Sequence, residues 1–205
     1  CVTPIKNQGS CGSCWAFSTT GSMEGANCAA GNALVSLSEQ ELVDCDTADG
    51  NQGCNGGDMQ TAMVWTESNG LCTEDDYAYK GKDGTCAESS CTEAVKCTNY
   101  AAVTAGSSSG LMASIETAPT SVAIEADKLV FQFYSGGVLN STKCGTNLDH
   151  GVLAVGYGSE NGQNYYIVKN SWNTTWGDTG YIKLANNGDG AGICGIQMAA
   201  VRPSC

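Results

Sequence analysis

Thirteen cysteines lie among 205 residues, so an odd thiol remains if six disulfides form. The segment Gln8-Gly9-Ser10-Cys11-Gly12-Ser13-Cys14-Trp15-Ala16-Phe17-Ser18 places Cys14 where a helix begins. Unpaired first-turn amides and the positive end of the helix dipole stabilise a thiolate there, which makes Cys14 a candidate nucleophile. Position alone is weak support, because a cysteine in so cystine-rich a chain is most often half of a bridge. Cys11 and Cys14 are also spaced as C-x-x-C, the pattern of a disulfide oxidoreductase, but tryptophan follows the pair and no βαβ pattern surrounds it. A zinc cluster accounts poorly for the thiols: His150 is the only histidine and repeated C-x-x-C pairs are missing. Neither a metal nor another cofactor is expected.

The elements that must position these residues change in character along the chain. From Trp15 to about Ala30 the residues are small and helix-compatible, with Gly31-Asn32 as a stop, so one helix carries Cys14 at its start. Ser38 is placed to cap a second helix, with Glu41 closing a capping box and Leu42 and Val43 facing the core. Asp58 to Glu67 reads as a third helix, followed by loops pinned by disulfides up to about Asn99. A break at Gly106-Ser107-Ser108-Ser109-Gly110 precedes strands, among them Gly151 to Gly156 and Tyr165 to Lys169. The expected class is α+β, with a mainly helical lobe over residues 1–100, a mainly β lobe over 101–205 and a cleft between them.

Charge and cysteine usage narrow the surroundings. A formal charge of -12 repels nucleic-acid phosphate and anionic membranes, so neither is an expected partner. Such a surface suits an acidic compartment, and serves solubility equally well. Cysteine at this density belongs to an oxidising compartment, and the sequons Asn140-Ser141-Thr142 and Asn173-Thr174-Thr175 agree with a secretory route. Absence of a basic-then-apolar leader before Cys1 leads to the expectation of a processed, mature chain.

The run Cys11-Gly12-Ser13-Cys14-Trp15 resembles the signature of the papain family of cysteine peptidases, which has a histidine and an asparagine far downstream. His150 and Asn170 stand there, and the likeness extends to Gly53-Cys54-Asn55-Gly56-Gly57, Leu148-Asp149-His150-Gly151 and Lys169-Asn170-Ser171-Trp172. It implies a two-lobed fold with a β-barrel-like second lobe. It also implies that Cys14 and His150 form a thiolate-imidazolium pair, that Asn170 orients the imidazole, and that Gln8 helps hold the oxyanion. Without that context His150 reads as a structural histidine, Asn170 as a turn residue and Gln8 as a loop amide.

Further roles follow from the same likeness. Trp172 would cover the His-Asn hydrogen bond, and Gly56 and Gly57 would form a bare-backbone wall for extended substrate. Asp58, Met59, Ala123, Leu148 and Ala199, with Asp149 beside the histidine, would line the substrate site; its roomy apolar pocket selects Phe or Leu at the second residue before the cut, and Asp58 leaves room for a basic one. The likeness pairs Cys11 with Cys54, Cys45 with Cys86, and Cys144 with Cys194. Cys1, Cys28, Cys72, Cys91, Cys97 and Cys205 remain, with fifteen pairings open; Cys1 with Cys205 is the favoured one because the family's ends approach each other.

The expected partners are polypeptide substrates, the protein's own propeptide and cystatin-like inhibitors, with the chain a monomer in a secreted or lysosomal/vacuolar setting. A dipeptide-removing activity would need a histidine-bearing inserted loop, which a single histidine rules out. The alternatives are a catalytically silent peptide-binding relative and, further off, the C-x-x-C oxidoreductase.

Overall fold

The computed structural model describes residues 1–205. Helix α1 runs over Cys14–Ala29 and is buried on nearly every side between Trp15 and Ala26. Its small residues permit this burial: a Cβ on Gly25 would lie 2.5 Å from the Pro119 ring, a distance no side chain tolerates. Its serines are satisfied across the interface, with Ser18 Oγ donating to the Val152 carbonyl at 2.7 Å and Ser22 Oγ to that of Pro119 at 2.9 Å.

Helix α2 spans Glu39–Cys45 and α3 spans Met59–Asn69, with Ser38 and Asp58 capping them through the amides of Glu41 and Thr61. Glu41 does not close the expected capping box. Its carboxylate instead takes the buried Cys72 amide at 2.7 Å, while the Ser38 amide goes to the Cys72 carbonyl. Leu42 and Val43 are buried in a first core with Trp15, Met23, Leu37, Met63 and Leu71.

The second half contributes strands β1 (Asn99–Ala102), β2 (Thr120–Ile124), β3 (Val138–Leu139), β4 (His150–Glu160), β5 (Gln163–Lys169), β6 (Tyr181–Ala185) and β7 (Ala200–Ser204). They pair in the order β1-β7-β2-β4-β5-β6-β3, antiparallel except β3 with β6, and the ladder is open at β1 and β3. A second core built around Phe131, Tyr166, Ile182 and Leu184 fills this half. Two helices belong here: α4 (Ser108–Thr117) and the single turn α5 (Leu129–Gln132). The serine-glycine break is therefore the start of a helix, with Ser107 as its cap and Leu111 and Ile115 buried one turn apart. Glycine at the break hid a cap signal that was present.

Six disulfides leave Cys14 as the free cysteine. Cys11–Cys54, Cys45–Cys86 and Cys144–Cys194 are joined, together with Cys72–Cys91. The Cys1–Cys205 expectation fails: Cys1 meets Cys28 in the last turn of α1, and Cys205 meets Cys97. The physical reason is the β1–β7 ladder, which sets Asn99 opposite Ser204 and so brings the cysteines beyond each together. Because Cys11 is bridged, no C-x-x-C dithiol exists for redox exchange.

Candidate active site

Cys14 begins α1 with an unusual feature at its N-terminus: Ser13, the N-cap residue, makes no side-chain cap. Its hydroxyl lies 2.6 Å from the Tyr79 hydroxyl, which in turn donates to the Gln8 carbonyl at 2.8 Å. First-turn amides are thus left for the thiol and for any ligand beside it. Gly12 donates to the Cys54 carbonyl at 2.9 Å, and with the Cys11–Cys54 bridge this holds the loop before the helix.

The start of β4 abuts this turn. A Cβ placed on Gly151 would lie 3.3 Å from both the Cys14 carbonyl oxygen and the Trp15 Cα, so glycine lets the strand approach the helix start closely next to His150. His150 Nε2 lies 2.8 Å from Asn170 Oδ1, which also accepts the Ser171 amide at 2.8 Å. Trp172 stacks on the imidazole with centroids 4.8 Å apart, and Phe131 and Trp176 both pack edge-on to Trp172 behind it. Burial pushes the Cys14 thiol up, against the amides of Gly151 and Trp15 that favour its thiolate. Burial also pushes the His150 imidazolium down, while Asn170 favours it. Burial thus disfavours the charged form of each group.

Gln8 is buried beside them. Its Nε2 donates to the Cys11 carbonyl at 3.0 Å, leaving its second hydrogen available, and its Oε1 accepts from Ser171 Oγ at 2.7 Å. Ser171 thus fixes which way the amide faces. Sequence reasoning passed over Ser171 and Tyr79, whose only signal was adjacency to quoted motifs or none at all.

Of the residues expected at a substrate site, Met59 is buried under Gly151, with Sδ 2.9 Å from a Cβ built there. Ala123 pairs with Gly151 across β2 and β4 and donates its amide to the exposed Ala199 at 3.0 Å. These residues adjoin the meeting of Gly151 with the first turn of α1. Leu148 is half-buried against Gly195. Asp149 turns outward, its carboxylate accepting the Ala126 amide at 2.7 Å. Asp58 is exposed and its carboxylate is engaged in capping α3. Gly56 has a φ of 113° with open space before it, and Gly57 packs on the Trp15 ring and Asn51.

This glycine wall rests on Asp46, which is wholly buried and takes Asn51 Nδ2 at 2.6 Å, while Asn51 Oδ1 takes the Asp58 amide at 2.7 Å. The other Asp46 oxygen has no partner, and burial pushes the carboxyl up from 3.8 to about 6. An acid with a higher pKa folded than unfolded weakens the fold as pH rises between the two values, here from about 4 to about 6. Asp46→Asn should remove that slope. Melting temperatures from pH 4 to 7 should show the variant gaining on the parent as pH rises; a constant gap would mean that Asp46 ionises equally easily in both states.

A free thiol at a helix start, an asparagine-held imidazole and an opposed glutamine amide define a thiol-peptidase class of architecture. Comparison with known proteins agrees. Residues 1–204 match the family model described as papain family cysteine protease, and the chain belongs to that family. It is 49% identical over 205 residues to digestive cysteine proteinase 2 of Homarus americanus, covering 98% of this chain and 63% of that protein. Bromelain from Ananas comosus, solved with the E64 inhibitor, superposes with a TM-score of 0.93 at 40% identity, covering 99% of this chain and 94% of that one. The ragweed allergen Amb a 11 in its proform gives a TM-score of 0.94 at 39% identity, covering 98% of this chain and 61% of that one. The chain spans roughly half to two thirds of the length of the curated relatives it matches.

Proposed function

We propose that the chain is an endopeptidase that cuts peptide bonds through an acyl-enzyme on Cys14. The observation that carries this reading is the free Cys14 thiol at an uncapped helix start, with the next-door strand β4 packing Gly151 on that turn and beginning at His150, whose imidazole Asn170 holds. His150 takes the thiol proton, the thiolate attacks the carbonyl carbon, and the Gln8 amide and the Cys14 N–H receive the oxyanion. The imidazolium then protonates the departing amine; a water, deprotonated by the same ring, releases the acid and restores the thiol. The stacked Trp172 supports this role by keeping water off the His150–Asn170 bond.

Hydrolysis of a fluorogenic Phe-Arg peptide from pH 3 to 9, with reductant, tests the reading. A bell-shaped profile reporting the two apparent pKa values of the coupled pair is expected. No turnover from a chain with a titratable Cys14 thiol would favour a silent peptide-binding relative instead.

Gln8→Ala should lower kcat about 100-fold or more, since one lost oxyanion donor typically costs about 2.7 to 4 kcal/mol of barrier. KM should change little. A loss below about tenfold would remove Gln8 from the oxyanion site.

Met59 and the small side chains of Ala123 and Ala199 support preference for Phe or Leu at the second residue before the cut. Asp58 caps α3 through Oδ1, which leaves the other oxygen of its exposed carboxylate to draw in a basic residue. Equal kcat/KM for Leu, Phe and Arg substrates would sink the assignment. The proform of a neighbouring structure supports an inhibitory propeptide upstream, and six bridges support maturation in a secretory or vacuolar compartment.

A further inference from the structure

The two sequons differ in their settings. Asn140 is knitted into its surface: its Nδ2 donates to Gln163 Oε1 at 2.9 Å and its Oδ1 accepts from Asn187 at 3.0 Å. Asn173 is exposed, and its Oδ1 accepts the Thr174 amide at 2.6 Å, whereas its Nδ2 has no hydrogen-bond partner. Its backbone sits in the left-handed region at φ 65°, tied by its amide to the Lys6 carbonyl at 3.2 Å. Asparagine is one of the few residues that adopt this conformation readily. Asn173 also directly follows Trp172, the ring stacked on His150.

We propose that Asn173 carries an N-linked oligosaccharide, and that this glycan restricts the approach of folded proteins to the side of the cleft where the leaving amine departs. The second clause rests on the peptidase reading, in which His150 protonates that amine. The co-reactant is an oligosaccharide on a polyprenyl diphosphate. Asn173 Nδ2 bonds to the anomeric carbon, the carbon–oxygen bond to the diphosphate breaks with its electron pair leaving on the lipid diphosphate, and Nδ2 loses one proton to a base of the transferase. The remaining N–H stays on the asparagine. The six disulfides place the chain in the compartment where this chemistry and sulfur oxidation occur together. A bulky solvated glycan beside Trp172 leaves room for an extended peptide but collides with a globular substrate.

The full-length gene product, made in a eukaryotic secretory host, is digested and mapped by mass spectrometry after enzymatic deglycosylation in heavy-oxygen water. Conversion of Asn173 to labelled aspartate is expected; an unmodified Asn173 overturns the proposal whatever the catalytic activity. Access is read with Thr175→Ala, which deletes the acceptor sequon while keeping Asn173 in its turn. That variant should gain about threefold or more in kcat/KM on native serum albumin and stay within about twofold on a Phe-Arg dipeptide. Natively deglycosylated parent protein should behave the same, guarding against a misfolded variant. Equal gains on both substrates, or none, overturn the role in access while the mapping still decides occupancy. A chain inactive on both substrates refutes the peptidase reading and, with it, the access role.

Discussion

Cys14→Ala should reduce hydrolysis of a fluorogenic Phe-Arg substrate to background, a loss of at least about 10⁴-fold, with the melting temperature nearly unchanged. The size follows from the chemistry. No other free thiol exists in the chain, and the remaining donors can polarise a carbonyl but cannot bond to it. Stability should hold because alanine differs from cysteine by a single sulfur at this half-buried helix start, and burial already works against the charged form of that sulfur. Cys14→Ser sharpens the result. A serine hydroxyl is far harder to deprotonate than a thiol, so no standing alkoxide-imidazolium pair can form in a site arranged around sulfur, and the variant should be almost as inactive as the alanine. Residual activity above about 1% in the alanine variant would place the nucleophile elsewhere.

The second large effect is on stability. Lys6→Met should destabilise the fold by about 3 to 5 kcal/mol at pH 7, the usual cost of breaking a buried ion pair from one side. Lys6 Nζ lies 2.6 Å from Glu39 Oε1 and 3.0 Å from Glu24 Oε1, and both carboxylates are almost fully buried. Glu24 also takes the Leu37 amide and the Thr3 hydroxyl, and Thr3 receives Lys169 Nζ at 2.9 Å. Burial pushes Glu39 up to about 7, with Lys6 pulling it down. Without Lys6, two carboxylates face each other with no direct counter-ion. Losing Lys6 raises Glu39 further, so the penalty should grow as pH rises through about 7, where Glu39 ionises more easily beside Lys6 than without it, and should be smaller at pH 5, where Glu39 is protonated either way. Thermal scans should give a drop of about 6 to 20 °C at pH 7 and a smaller one at pH 5. A loss under about 1 kcal/mol at pH 7 would mean that water reaches the carboxylates. A small polar cavity lined by Lys6, Glu24, Glu39 and Lys169 reaches Asn170 and Ser171, so the folded variant should also position His150 less well.

The helix starts were legible because their signals are local. Ser38 and Asp58 can each reach an amide three residues on without help from the rest of the chain. Helix α4 escaped because Gly106 and Gly110 bracket its cap, and glycine carries the same turn signal whether a helix follows or not. Glu41 was assigned to a local box that a distant residue, Cys72, then claimed. In that case a tertiary contact outcompeted a local one.

Residue types and spacing in the sequence alone established the family, the α+β class and an odd cysteine at the head of a helix, since each depends on composition or on neighbours within a few residues. The partners of Cys1 and Cys205 and the Lys6–Glu24–Glu39 cluster were decided only in the tertiary structure. Sulfur pairing requires two Cα atoms within about 7 Å, and a buried charge requires its counter-ion within hydrogen-bond reach. Those are distances between segments far apart in the chain, and they come into being when β1 pairs with β7 and α1 packs against β4.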